Sequence, residues 1–266
     1  MIIVKIGGGQ NINWDYIAQD LAKLIKKEQI ILIHGASQKR DQIAKKLGHP
    51  SQVITSPSGI TSVYTDQEAI DIFLMVYAGL ANKTITAKLQ RYGLNVLGLS
   101  GVDGALWQAK AKKDLYAKIN GKTKLLRDNL TGRVEKINTK LLRLLLKNSY
   151  LPVLCPPAIS FDGEIVNTDN DWATAVMAGQ LSVKKIVVLF EAPGLLKDIN
   201  DPKSLVNHID KNRLSQHLTY AQGRMKKKIL GAQKALDLGV KTIYWGDARI
   251  KNPITHALSG QGTVIS

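Results

Sequence analysis

At 266 residues with 44% apolar content, the chain is long enough to bury a core without staples and suits one large α/β domain or two lobes. Cys155 is the only cysteine, which excludes an intrachain disulfide and a cysteine-based zinc site; no apolar run nears the roughly 18 residues that span a bilayer, no signal peptide is legible, and the cytoplasm is the expected compartment. The net charge of +16 comes from 37 Lys plus Arg against 21 Asp plus Glu, and residues 108–147 alone hold twelve of the cations against three acids.

Apolar runs of strand length alternate with segments of helical period, the pattern of an α/β protein with a largely parallel sheet. Residues 2–6 read as a strand, after which Trp14, Ile17, Leu21, Leu24 and Ile25 fall on one helical face. A strand over 30–33 ends in His34-Gly35-Ala36-Ser37, and a helix follows over 38–47. A long helix is expected over 66–91, with Ile70, Phe73, Leu74, Tyr77, Leu80, Ile85 and Leu89 as its apolar residues, and then a strand over 95–99 that runs into Ser100-Gly101-Val102-Asp103-Gly104. From 107 to 137 short alternating pieces, broken at Asn120-Gly121 and Thr131-Gly132, predict hairpins projecting from the main sheet. Helices over 139–147, 169–179 and 221–238 alternate with strands over 151–154, 185–190 and 241–245, and an Asp/Asn cluster caps the second of these helices. There is no internal repeat, and a soft boundary falls near residue 180, with two lobes on one sheet.

In an open parallel sheet, ligands sit beyond the carboxyl ends of the strands. Those ends here are Lys5-Ile6-Gly7-Gly8-Gly9, His34 to Ser37, Ser100 to Gly104 and Ile165-Val166-Asn167-Thr168-Asp169-Asn170-Asp171. Glycine lets backbone N–H groups approach a bulky anion closely, so a lysine running into three glycines suits phosphate. The same residues also suit a plain turn with a lysine leaning into solvent, and neither G-x-x-x-x-G-K-[ST] nor G-x-G-x-x-G in a βαβ setting occurs. A second cationic group lies in the late helix, where Met225, Ile229, Ala232 and Leu236 form the buried stripe, Lys226 and Lys227 look outward and Lys228 sits at the stripe's edge. Three lysines in a first helical turn oppose the helix dipole, and a bound polyanion would remove the conflict.

VKIGGG at 4–9, IHGAS at 33–37, GLSGVDG at 98–104, IVNTDND at 165–171, FEAPGLL at 190–196 and GRMKKKILGA at 223–232 stand in the order and spacing of the amino acid kinases, acetylglutamate kinase branch, and the chain resembles that family from Met1 to the terminal SGQGTVIS. QNINW at 10–14, LGHP at 47–50, SPSG at 56–59, MVYAGLANK at 75–83 and AQGRMKKK at 221–228 look like its carrier-protein branch, whose members phosphorylate α-aminoadipate or glutamate attached through the α-amino group to the small acidic LysW carrier protein. The resemblance implies a three-layer αβα sandwich on a mainly parallel central sheet, with residues 1–180 as the substrate and dimerisation lobe and 181–266 as the ATP-binding lobe. It implies ATP and Mg2+ as cofactors, an acidic LysW-like carrier docking on a basic surface, and a homodimer. Carried over residue by residue, Lys5 and Lys228 correspond to the two lysines that stabilise the transferring phosphoryl group, and Asp171 to the acid that orients them. Asn167 corresponds to a substrate contact and Gly35, Ala36 and Ser37 to the substrate cradle; Gly7, Gly8, Gly194, Gly223 and Met225 fall on the nucleotide side. His34 reads as a structural hydrogen-bonding residue and Cys155 as a small buried hydrophobe, while His49, His208, His217 and His256 lack metal-ligand spacing.

Competing readings are a kinase for free N-acetylglutamate and a basic nucleic-acid-binding protein on a kinase fold; the presence of Lys5, Asp171 and Lys228 argues against the second. One position departs from the pattern. Where the relatives place an arginine that grips the substrate's α-carboxylate, the chain has Val63, and no Arg or Lys between Gly48 and Asn82 replaces it locally. A cation from elsewhere, a changed presentation of the substrate, or loss of activity would each account for this, and the intact phosphate side favours changed presentation.

Overall fold

The computed structural model describes residues 1–57, 59, 61–119, 122–219 and 223–266. β1 (Ile2–Ile6) leads to α1 (Trp14–Leu24), and β2 (Ile30–His34) to α2 (Ser37–Lys46). A short antiparallel pair, β3 (Val53–Thr55) and β4 (Thr61–Val63), precedes α3 (Gln67–Leu74), a π-helical stretch (Met75–Ala81) and α4 (Asn82–Arg91). β5 (Val96–Gly101), β6 (Trp107–Ala111), β7 (Leu115–Ile119), β8 (Lys122–Leu126) and β9 (Thr131–Ile137) follow, then α5 (Thr139–Lys147), β10 (Leu151–Ser160), β11 (Ile165–Thr168) and α6 (Asn170–Gln180). The chain closes with β12 (Lys185–Phe190), β13 (His208–Ile209), α7 (Arg224–Asp237), β14 (Thr242–Asp247), α8 (Pro253–Leu258) and β15 (Thr263–Ile265).

Among the described residues, eleven strands form one sheet in the order β11-β9-β6-β10-β2-β1-β12-β14-β15-β13, with β5 joined to β10. Most of its pairings are parallel, including every pairing among β5, β10, β2, β1, β12 and β14. Side chains alternate across a strand, so β1 and β2 bury both faces. Ile3, Ile31 and Ile33 pack with Leu142 of α5, Met177 of α6 and Ile229 of α7. Ile2, Val4 and Leu32 pack with Ile17 of α1, Leu89 of α4 and Ile254 of α8 on the other face. The result is the expected αβα sandwich. A third cluster joins Ala44 of α2, Phe73 of α3 and Cys155 of β10. Among the described residues, no helix is long and apolar enough to cross a membrane.

The structure departs from the sequence pattern in five places. The helix over 66–91 is continuous but carries the π-helical stretch at Met75–Ala81. The strand over 151–154 runs on to Ser160, because Pro156 and Pro157, which have no N–H to give, fall after the ladders to β2 and β5 have ended and before those to β6 and β11 begin. Of the hairpins expected from 107 to 137, β6 and β9 pair within the main sheet; only β7 and β8 leave it, joining β3 and β4 in a four-stranded sheet. The turn assigned to Asn120-Gly121 lies outside the described residues, as do Ala221 and Gln222, and α7 begins at Arg224. β11, read with the parallel strand ends, is the fifth departure. It runs antiparallel to β10, yet its carboxyl end still returns to the ligand edge, because β10 runs on from its last pairing with β2, at Leu154, to Ser160 before the chain turns back.

Candidate active site

The parallel register sets Ile6 beside His34 and Leu189, so the turns after β1, β2 and β12 share one edge of the sheet. There the amide of Gly7 donates to the Leu189 carbonyl at 2.8 Å, that of Gly35 to the Ile6 carbonyl at 2.9 Å, and the Gly8 carbonyl accepts from the Gln38 amide at 3.1 Å and from Ser37 Oγ at 3.2 Å. A Cβ on Gly8 would lie 2.5 Å from the Ser37 nitrogen and 2.7 Å from that of Ala36, so only glycine lets this turn rest on the first turn of α2. Ala36 caps α2 without a side-chain acceptor, and the positive end of the helix dipole faces the glycine turn. Gly9 is closed off by the carboxylate of Glu191, whose Oε1 accepts from the Asn11 amide at 2.5 Å; sequence reading gave Glu191 no role.

Lys5 shares its strand face with Ile3, the face covered by α6 and α7, and its ammonium therefore points at their N-termini. Lys5 Nζ donates to Asp171 Oδ1 at 2.7 Å, while Lys228 Nζ lies 3.9 Å from Asp171 Oδ2 and 5.1 Å from the centre of the Phe190 ring. Asp169 caps α6, accepting from the Trp172 amide at 3.0 Å, and fixes Asp171 in the first turn. α7 can approach because residue 231 is glycine; a Cβ there would lie 2.7 Å from the Cβ of Asp171. Burial alone would push the Asp171 carboxyl up, but Lys228 and Lys5 hold it down at about 2. For Lys5, burial pulls down and the Asp171 carboxylate more than offsets it, so the ammonium is held charged. Burial, with Lys5 adding repulsion, brings Lys228 down to about 8 against the pull of Asp171. The arrangement is two ammonium groups, one of them loosely held, sharing a single carboxylate beside a glycine cradle. Its chemistry suits a polyanion that takes over part of Asp171's role.

The cationic surroundings extend outward. Lys227 is not turned away as its spacing suggests, since its Nζ lies 3.8 Å from Asp169 Oδ2. Arg133 of β9 stacks 4.3 Å over Trp172, and burial together with the Arg133 charge lowers the pKa of Lys112, which also feels Asp169 and Lys227. The basic stretch thus reaches the Lys5–Asp171–Lys228 cluster.

The remaining predicted residues fall into three groups. Asn167 comes to the same edge and donates through Nδ2 to Thr65 Oγ1 at 3.0 Å, and Val63 lines the adjoining cleft with Thr65 and Asp66. Gly223, at φ +52°, leads into α7, and Met225 packs part-buried against the core in its first turn. Gly194, expected on the nucleotide side, has no room for a Cβ, which would meet Thr263 and Leu205. His34 is fully buried, accepts at Nε2 from Asn82 Nδ2 at 3.1 Å, and burial lowers its pKa to about 4, so it is a neutral structural group as expected. Asn170, which sequence reading passed over as a capping residue, donates to the His34 carbonyl at 3.0 Å; its Oδ1 and the Thr168 hydroxyl are buried without a partner at the entry to α6.

A doubly covered parallel sheet whose glycine turns and paired lysines face one edge defines an α/β protein with an anion-binding edge. Residues 1–244 match the Amino acid kinase family, and the chain belongs to it. It is 46% identical over 267 residues to the [LysW]-aminoadipate kinase of Deinococcus radiodurans, covering all of this chain and 91% of that protein. It is 44% identical over 268 residues to the protein of the same name from Thermus thermophilus, with both chains fully covered. Among solved structures, N-acetylglutamate synthase from Neisseria gonorrhoeae superposes with a TM-score of 0.79 at 21% identity, over all of this chain and 59% of that one.

Proposed function

We propose that the protein transfers the γ-phosphoryl group of ATP to the side-chain carboxylate of an amino acid, α-aminoadipate or a glutamate-like homologue, carried by its α-amino group on an acidic LysW-type protein in the cytoplasm. The observation that carries the reading is the full-length identity to two [LysW]-aminoadipate kinases, joined to the Lys5–Asp171–Lys228 cluster at the family's motif positions. The carboxylate oxygen attacks the γ-phosphorus, the bond to the bridging oxygen breaks, and acyl phosphate and ADP leave. No proton has to be removed from a carboxylate at pH 7, so the protein's part is positioning and charge neutralisation. Lys5 and Lys228 meet the equatorial oxygens, Asp171 keeps the two ammonium groups apart and aimed, and the Gly8 turn with the start of α2 supplies backbone amides.

The residues fit a nucleotide polyphosphate, since a Cβ would fill the Gly8 cradle and Lys228 has only a loose partner. Among the described residues, no cluster of His, Cys, Asp or Glu could hold a metal, and Asp169 and Asp171 are engaged by lysines. Mg2+ in this reading arrives on the phosphates and supplies charge neutralisation there. The exposed cations of β6, β8, β9 and α5 suit an acidic carrier. Exposed Met75, Leu80 and Leu97, on the π-helical stretch and β5, support a homodimer through that face.

The test is incubation with ATP, Mg2+ and LysW carrying aminoadipate or glutamate, beside free N-acetylglutamate, with hydroxylamine trapping of the acyl phosphate. Hydroxamate on a loaded carrier is the expected result. Hydroxamate from free N-acetylglutamate alone would replace the carrier reading with a free-substrate one.

A further inference from the structure

Arg40 lies one turn into α2, its side chain only 9% exposed. A guanidinium has five N–H donors. Nε and Nη2 of Arg40 donate to a single oxygen, Oδ1 of the neighbouring Asp41, at 3.1 and 2.6 Å, and the group lies 5.8 Å from the centre of the Phe73 ring. Three N–H groups are left without a protein partner among the described residues, and no nitrogen of Arg40 is sealed from solvent while unpartnered. Arg40 lines a cleft with His49, Val63, Tyr64, Thr65 and Asp66.

The cleft's own acid makes no hydrogen bond to these N–H groups, since both bonds of Arg40 go to Asp41. Asp66 Oδ1 already accepts from the Ala69 amide at 2.8 Å and faces His49 Nε2 at 3.1 Å. Across the cleft, Val63 offers no charge. A largely buried, partly satisfied guanidinium beside an aromatic ring suits a planar anion, which Nη1 and Nη2 can grip through two parallel bonds. Both ends of the cleft are tied to the phosphoryl edge: Thr65 accepts from Asn167, two residues before Asp169, and α2 begins at the Gly35-Ala36-Ser37 cradle on which Gly8 rests.

We infer that Arg40 holds the α-carboxylate of the amino-acid substrate, supplying from α2 the guanidinium that Val63 cannot. The inference rests on the proposed function and names the group that fixes the substrate's proximal end. It replaces a changed presentation of the substrate as the account of Val63, because the missing cation enters the same cleft from the preceding helix.

The test compares wild type and Arg40→Gln on LysW loaded with α-aminoadipate and on LysW loaded with 5-aminopentanoate, which keeps the reacting carboxylate and lacks the α-carboxylate. Wild type is expected to prefer the aminoadipate form by about 10- to 100-fold in kcat/KM, and Arg40→Gln to discriminate by less than about twofold, with KM for ATP unchanged. Adding Val63→Arg to Arg40→Gln restores part of the preference. Equal discrimination by the variant and wild type, or none by wild type, overturns the inference alone. Absence of transfer from wild type to the aminoadipate form overturns the proposed function with it. Should Arg40→Gln fail to fold, Arg40→Lys keeps the charge and loses the two-bond grip, and undiminished discrimination in that variant also overturns the assignment.

Discussion

The Lys5 ammonium lies 2.7 Å from Asp171 Oδ1 across 166 residues of chain, so the first strand and the sixth helix are locked together at the point where the chemistry is expected. Because Asp171 also faces Lys228, each lysine leaves the other with a partner when it is removed. Lys5→Ala and Lys228→Ala are each expected to lower kcat by about 100-fold or more, the scale of losing one preorganised charge from a transition state, while the circular dichroism spectrum stays that of the folded chain. Near-normal turnover in both variants would sink the catalytic assignment.

In the proposed reaction Lys228, lowered to about 8 by burial, serves only as an ammonium, so raising the pH through 8 removes the charge it would contribute. For the free enzyme, kcat/KM is expected to fall about tenfold per unit above pH 8. Asp171 opposes that deprotonation, and Asp171→Asn should therefore move the alkaline limb to lower pH as well as slowing the reaction. Lys228→Arg should carry the limb beyond the measurable range. A pH profile flat to 9.5 in wild type would show that another group serves.

Lys113 and Lys124 are exposed, and Lys112 is exposed over part of its surface, along the stretch that leads to the lysine cluster. Reversing all three to Glu is expected to slow association with the loaded carrier by about tenfold or more while changing dissociation little, and wild-type association should weaken steeply between about 50 and 500 mM salt. Stopped-flow mixing at two ionic strengths measures both. An unchanged association rate places the carrier elsewhere.

What the sequence made legible follows from how strongly each segment states its environment. Ile2 to Ile6, Ile30 to Ile33 and Lys185 to Phe190 are apolar almost throughout, which only a strand buried on both faces requires, and they occupy the sheet centre. β3 and β4 are three residues each and only part-buried or exposed, with no alternation long enough to read. Lys227 faces Asp169 because the start of α7 points at the start of α6, a tertiary fact that helical spacing does not contain. Arg40 sits in Ser37-Gln38-Lys39-Arg40-Asp41, which reads as a solvated face; Phe73, 33 residues further on, gives it a burial that the local pattern denies. The motif positions Lys5, Asp171 and Lys228 were readable through their family spacing, whereas the cleft beside Val63 needed the packing of α2 against α3.

Gly231 decides how closely the two helix starts approach, and two opposing effects meet there. Alanine in a helix interior is favoured over glycine by about 1 kcal/mol, so propensity alone predicts a more stable protein. Yet the added Cβ would stand 2.7 Å from the Cβ of Asp171 and 3.1 Å from its carbonyl carbon, and neither is the far end of a flexible side chain. Overpacking of this kind costs about 1–3 kcal/mol, and with a neighbouring main chain as the obstacle the upper part of that range applies. Overpacking therefore wins, and Gly231→Ala is expected to lower the melting temperature by about 2–6 °C. The relief is a small outward shift of α7, which carries Lys228 away from Asp171 and from the Lys5 ammonium. Since catalysis here depends on where the two charges stand, kcat should fall by about tenfold or more with KM for the carrier substrate nearly unchanged. A variant that melts higher and turns over normally would show that the helices have room to spare, and that their close approach is not what places the second lysine.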